Sequence, residues 1–184
     1  MDSDTPGKII ADLAILGIVQ RGPVTADRLP AVAKALVPEY WQPTTAVIEA
    51  AIGRNLAAGA LRADGALALT VAGRTRFAAL ILSDTGALAC PSALALEALQ
   101  FCFLDCADAD TAMRALGRLA VRLEHRLTDL EIRCRQCPHR GRYAALWMEF
   151  EQRRLKEMAR LLAAVSRDAA ASEPVSHHWG CSHV

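Results

Sequence analysis

Between residues 44 and 76 the chain reads TTAVIEAAIGRNLAAGALRADGALALTVAGRTR, and few arrangements accommodate that order of signals. Val47, Ile48, Ala51, Ile52 and Leu56 recur at helical spacing, so residues 44–58 predict a helix with one apolar face. Gly59 is a natural stop for it, because glycine enters the left-handed conformation at little cost. Residues 60–62 and 66–70 then flank Asp64-Gly65, a dipeptide suited to a tight two-residue hairpin turn. Leu67 and Leu69 alternate onto one buried face of that hairpin, and Thr70 is placed to cap another helix carrying Phe77, Leu80 and Ile81.

Upstream, residues 8–20 predict a helix in which Ile9, Ile10, Leu13, Leu16, Ile18 and Val19 are spread round the axis, so it packs on more than one neighbour. Gly22-Pro23 ends it. A second helix starts at Thr25 or Asp27 and runs to Leu36, with Leu29, Val32, Ala33 and Leu36 inward and Pro30 near its first turn, where proline is tolerated. Residues 38–43 form a connector whose Tyr40 and Trp41 plug the gap under the third helix. Three helices followed by a hairpin and a fourth helix predict a fold that is mainly α with a small β-hairpin, a winged helix-turn-helix domain over residues 8–82.

After Leu82 the pattern changes. Ser83 to Gly86 reads as a loop, and Ser92 as the cap of a helix to about Asp105 that carries Phe101 and Phe103. Asp108 or Asp110 opens a long helix in which Met113, Leu116, Ala120, Leu123, Leu127, Leu130, Cys134 and Cys137 alternate at spacings of 3 and 4. That is a sustained heptad pattern. Pro138 and Gly141 break it, and residues 143–168 predict a second long helix with Leu146, Trp147, Phe150, Leu155, Met158, Leu161, Leu162 and Val165. Such a helical region at 92–168 is best used for homodimerisation, with 169–184 a flexible tail.

Composition narrows the function classes. The formal charge is +1, and up to Cys90 eight bases face eight acids, which argues against an indiscriminate nucleic-acid binder. It leaves room for a sequence-specific one, since residues 44–76 hold four Arg against Glu49 and Asp64. Met1 to Gly7 does not read as a signal peptide and no apolar run reaches membrane-spanning length, so a cytoplasmic protein with six reduced Cys and no membrane partner is expected. No glycine-rich phosphate loop, nucleophile elbow or paired-carboxylate motif is present, and an enzyme is not expected.

LAILGIV at 13–19, GP at 22–23, PEYW at 38–41, LAAGAL at 56–61 and LALTVAGRTRF at 67–77 together resemble the PadR-like transcriptional regulators over roughly residues 8–82. The resemblance implies a homodimer bound to double-stranded DNA through the helix at 44–58. Gln42, Thr44 and Thr45 would meet bases or phosphates, Arg62 would extend from the wing, and Arg54, Arg74 and Arg76 would add further contacts. It also implies a small aromatic or hydrophobic effector between the winged and helical parts, with Phe101, Phe103, Trp147 and Phe150 as candidate lining. The helix at 44–58 is rich in alanine and carries only Glu49 and Arg54 as charges, which suggests a second function: a winged protein-interaction module that does not bind DNA.

Cys134-x-x-Cys137-x-His139 has spacing compatible with zinc, and the tail adds His177, His178, Cys181 and His183. A regulator sensing metal or redox state would use these residues. The heptad arithmetic already accounts for Cys134 and Cys137 as apolar positions, and a structural zinc site needs four fixed ligands where only three are local. No cofactor is expected on balance.

Overall fold

The computed structural model describes residues 6–36, 41–84, 90–136 and 141–171. The described chain is mainly helical with one small antiparallel sheet, in the order α1 (Pro6–Arg21), α2 (Leu29–Leu36), α3 (Thr45–Ala57), β1 (Leu61–Asp64), β2 (Ala66–Leu69), α4 (Val71–Ile81), α5 (Pro91–Cys102), α6 (Ala109–Gln136) and α7 (Arg142–Ala171). It divides into two compact units, residues 1–122 and 123–184. None of the described helices is long and apolar enough to cross a membrane.

The first unit is built round α1. Every residue from Ile10 to Val19 is buried, and α2, α3, α4, α5 and β2 all pack on this helix. Side chains such as Ile10, Leu13, Ile15 and Leu16 are wholly enclosed, each worth roughly 1.5–3 kcal/mol of transfer free energy. The expectation of a helix buried all round therefore holds. Gly17 suits its Phe103 contact, because a Cβ there would stand only 2.5 Å from the ring. Phe103 is itself fully buried, edge-on to Phe77 at 6.3 Å between ring centres.

The hairpin pairs Leu61 with Leu69 and Asp64 with Ala66, so the chain reverses over Gly65 alone. This corrects the two-residue turn expected at Asp64-Gly65. A type I′ turn needs positive φ at both central residues, and among the described residues only Gly59 and Gly65 have it. Leu67 is buried, and its N–H donates to the Val24 carbonyl at 2.8 Å, so a residue between α1 and α2 makes an isolated bridge to β2.

Thr70 caps α4 by accepting from the Gly73 N–H at 3.0 Å, while its own hydroxyl donates to the Gly59 carbonyl at 2.6 Å. Gly73 lies so close to Ala60 that a Cβ would overlap its carbonyl oxygen. The capped helix and the hairpin are thus fastened together at one point.

Several inward assignments are corrected. Val32 and Val47 are exposed; α3 buries Ile48, Ala51 and Ile52 as expected, adds Asn55, and leaves Leu56 half-buried. Cys90, not Ser92, stands at the N-cap of α5, because Pro91 occupies the first helical position. Of the connector's two aromatics, Trp41 is half-buried and Tyr40 lies outside the described residues.

The first unit reaches past residue 82 to Arg122, because α1 needs cover on a second side. Leu96, Leu99 and Phe103 supply it. Buried Gln100 donates to the Leu80 and Ser83 carbonyls at 3.2 and 2.9 Å and accepts from Arg122 at 2.8 Å, tying the end of α4 to α5 and to the first half of α6. Asp108 caps α6, accepting from the Thr111 N–H at 2.9 Å.

The heptad pattern of α6 separates into two sets. Leu116, Leu123 and Leu130, seven residues apart, are buried, whereas Met113 and Ala120 are exposed and Leu127 and Cys134 half-buried. In the second unit α7 behaves likewise: Leu155 and Leu162 are buried, but Tyr143, Leu146, Trp147, Phe150, Met158 and Leu161 are exposed. Trp147 and Phe150, one turn apart, stack at 5.5 Å between ring centres.

Candidate nucleic-acid interface

Helix α3 has an inner face on α1 and α2 and an outer face formed by Thr45, Ala46, Glu49, Ala50 and Gly53, all exposed. Its start is fixed by Thr44, whose hydroxyl accepts from the Val47 N–H at 3.4 Å. Lys34 of α2 donates to the Thr45 hydroxyl at 3.2 Å, which brings a cation to the first turn of α3. Gln42 is exposed just before that turn. Gln42, Thr44 and Thr45 therefore stand together at one end of the helix.

The basic residues divide sharply. Arg62 on β1 and Arg74 on α4 are exposed and form no ion pair among the described residues. Arg54 and Arg76 instead reach inward to Asp12 of α1, at 2.9 and 2.6 Å on its two carboxylate oxygens. Asn55 adds a third donor to Asp12 at 3.0 Å and also donates to the Ala51 carbonyl at 2.8 Å. Asp12 is only 1% exposed, so an unpaired carboxylate there would be very costly, and the three donors offset that cost. Both arginine side chains remain about one-third accessible, at 36%. Arg54 and Arg76 thus serve the fold first, and only their outer edges face solvent.

Sequence reasoning missed this cluster, although Asp12 is the one charge inside an otherwise apolar helical run and could have been flagged on that ground. It missed Lys34 as well, because the contact joins two helices across a connector.

A groove of about 460 Å³ runs beside the start of α3, walled by Trp41, Val47 and Ala50, with Thr44, Lys8 and Arg54 along it. Lys8, in the first turn of α1, pairs with no acid among the described residues.

The residues expected to line an effector pocket are divided between the two units. Phe103 is core, Phe101 is half-buried on α5, and Trp147 and Phe150 stack on the exposed side of α7. The Arg21 guanidinium lies 5.1 Å from the centre of the Phe103 ring, and it also bonds Asp105 at 3.1 Å. Cys102 and Cys106 sit beside this pair, and burial pushes both thiols above the ordinary range. That disfavours the thiolate form a redox sensor requires.

Of the zinc candidates, Cys134 is a half-buried free thiol in a groove of about 370 Å³ between the end of α6 and the start of α7. Cys137, His139, His177, His178, Cys181 and His183 lie outside the described residues. No group of three or more metal-ligating side chains occurs among the described residues.

No protein-family model matches this chain, and no curated protein matches it.

Proposed function

We propose that this chain is a homodimeric, sequence-specific DNA-binding transcriptional regulator in which residues 8–82 of the first unit are a winged helix-turn-helix and α3 is the recognition helix. The observation that carries the reading is the outward face of α3, left uncovered beside a hairpin that offers Arg62. An α-helix matches the width of the major groove, and a short hairpin alongside would reach the flanking backbone. Gln42, Thr44 and Thr45 fall at the end of α3 that approaches base edges in such a complex. Arg62, Arg74 and Lys34 are the cations suited to phosphate.

The dimer is supported by the exposed aromatic and aliphatic residues of α7 together with the outer heptad set of α6. Trp147, at 62% exposure, and Phe150, at 52%, are large apolar side chains that a second copy would remove from water.

A second reading has its own observation. The outer face of α3 carries Glu49 as its only charge, and Arg54 is engaged with Asp12, which fits a module that binds protein rather than DNA.

Selection of bound duplexes from a random pool with the whole chain tests both. A regulator enriches a two-fold-related sequence, and its affinity falls steeply with salt. Absence of enrichment and of duplex binding at low salt would overturn the regulator and leave the interaction module.

A further inference from the structure

We infer that the groove beside the start of α3 is a seat for one sugar–phosphate unit of a DNA strand, with Lys8 and Arg54 holding the phosphate. The inference rests on the regulator reading and adds a contact in which Lys8 of α1 joins Arg54 of α3.

Charge is the first ground. Among the described residues Lys8 pairs with no acid, and none of those lining the groove is acidic. Arg54 reaches the groove while its Nη2 is anchored on Asp12 Oδ1 at 2.9 Å. The other oxygen of Asp12 is taken by Arg76, so one carboxylate faces two guanidiniums and the cluster keeps a net positive charge. An anion in the groove therefore meets a cation already fixed in place, and little side-chain entropy is lost on binding.

The shape of the lining is the second ground. Trp41, Val47 and Ala50 form apolar walls and Thr44 offers a hydroxyl. A bare inorganic anion would leave those walls wet. A deoxyribose has an apolar face to lie on them and a phosphate to reach the cations, so the two halves of a backbone unit match the two halves of the groove. Position is the third ground: Thr44 and Val47 belong to the first turn of α3, so a strand passing over that turn crosses the groove.

The test uses the whole chain and a duplex recovered by selection, with single phosphates replaced in turn by uncharged methylphosphonate. Lys8 is half-buried and forms no ion pair among the described residues, so Lys8→Gln should keep the thermal melt of the parent, which is the control for folding. It should weaken cognate and unrelated duplexes alike, by about 3- to 10-fold, and lower the salt slope by about one. Lys8→Arg should restore both. In the parent, one methylphosphonate position per half-site should weaken binding, and Lys8→Gln should make that position silent, as coupling between two contacting groups requires. If Lys8→Gln binds as the parent does, or if its effect merely adds to that of every methylphosphonate, the seat is wrong while the regulator stands. If the parent binds no duplex, the regulator reading falls first and the seat with it.

Discussion

A carboxylate enclosed in the middle of an apolar helix is the least expected residue in this molecule. Asp12 is paired there, because α3 and α4 each send an arginine to it and Asn55 completes the set. Removing the carboxylate leaves two guanidiniums aimed at nothing, although their 36% exposure lets them turn toward water. We therefore expect Asp12→Ala to cost about 2–3 kcal/mol, below the 3–5 seen when a fully buried pair is broken, as read by urea unfolding. A loss under 1 kcal/mol would show that the cluster is ornamental. Gly73 makes an equally local demand. An added methyl must displace the Ala60 carbonyl, so Gly73→Ala should destabilise by about 1–3 kcal/mol, despite alanine's better helix propensity. A neutral or stabilising result in the same assay would mean that the hairpin shifts freely against α4.

Among the elements, α6 is held at its start by a carboxylate cap. Asp108 accepts from the Thr111 N–H, and the Thr111 backbone and side-chain hydrogen bonds together hold its carboxyl below the ordinary range. A carboxyl depressed in the folded state stabilises fully above its unfolded value, near 4, and that contribution disappears as pH falls through the lower folded value. Asp108→Ala should cost about 1 kcal/mol at pH 7 by chemical denaturation, with the gap to the parent closing in strong acid. An unchanged gap down to pH 2 would remove the capping role. The hairpin shows what an element's sequence conveys and omits. Leu67 was readable as an inward residue, because period-two alternation is local. The reversal over Gly65 was not, since the register is decided by how β2 meets Val24 as well as by turn propensity.

Across the molecule, the question is what covers the apolar residues that the chain leaves outside. Tyr143, Leu146, Trp147, Phe150, Met158 and Leu161 are exposed on one helix, a pattern more typical of an interface than of a solvated surface. Phe150→Glu combined with Trp147→Glu should convert a dimer into a monomer at micromolar concentration by sedimentation, with helix content unchanged. A parent that sediments as a monomer, or a double variant that remains dimeric, would refute this surface as the contact.

Much of the fold could be read from residue order. Helical periodicity, Gly59, Thr70 and the alternation round Leu67 fixed the succession of helices and the hairpin, because propensity, capping and binary pattern act over a few residues. The exposed start of α3, with Gln42, Thr44 and Thr45, was legible for the same reason. Heptad spacing announced that α6 had an apolar seam, but which half is used within the chain depends on partners distant in sequence. Likewise Arg54, Arg62, Arg74 and Arg76 look alike as letters. Only folding separates the two that neutralise Asp12 from the two that remain outward, because the distance to a carboxylate dozens of residues away is a property of the packed molecule.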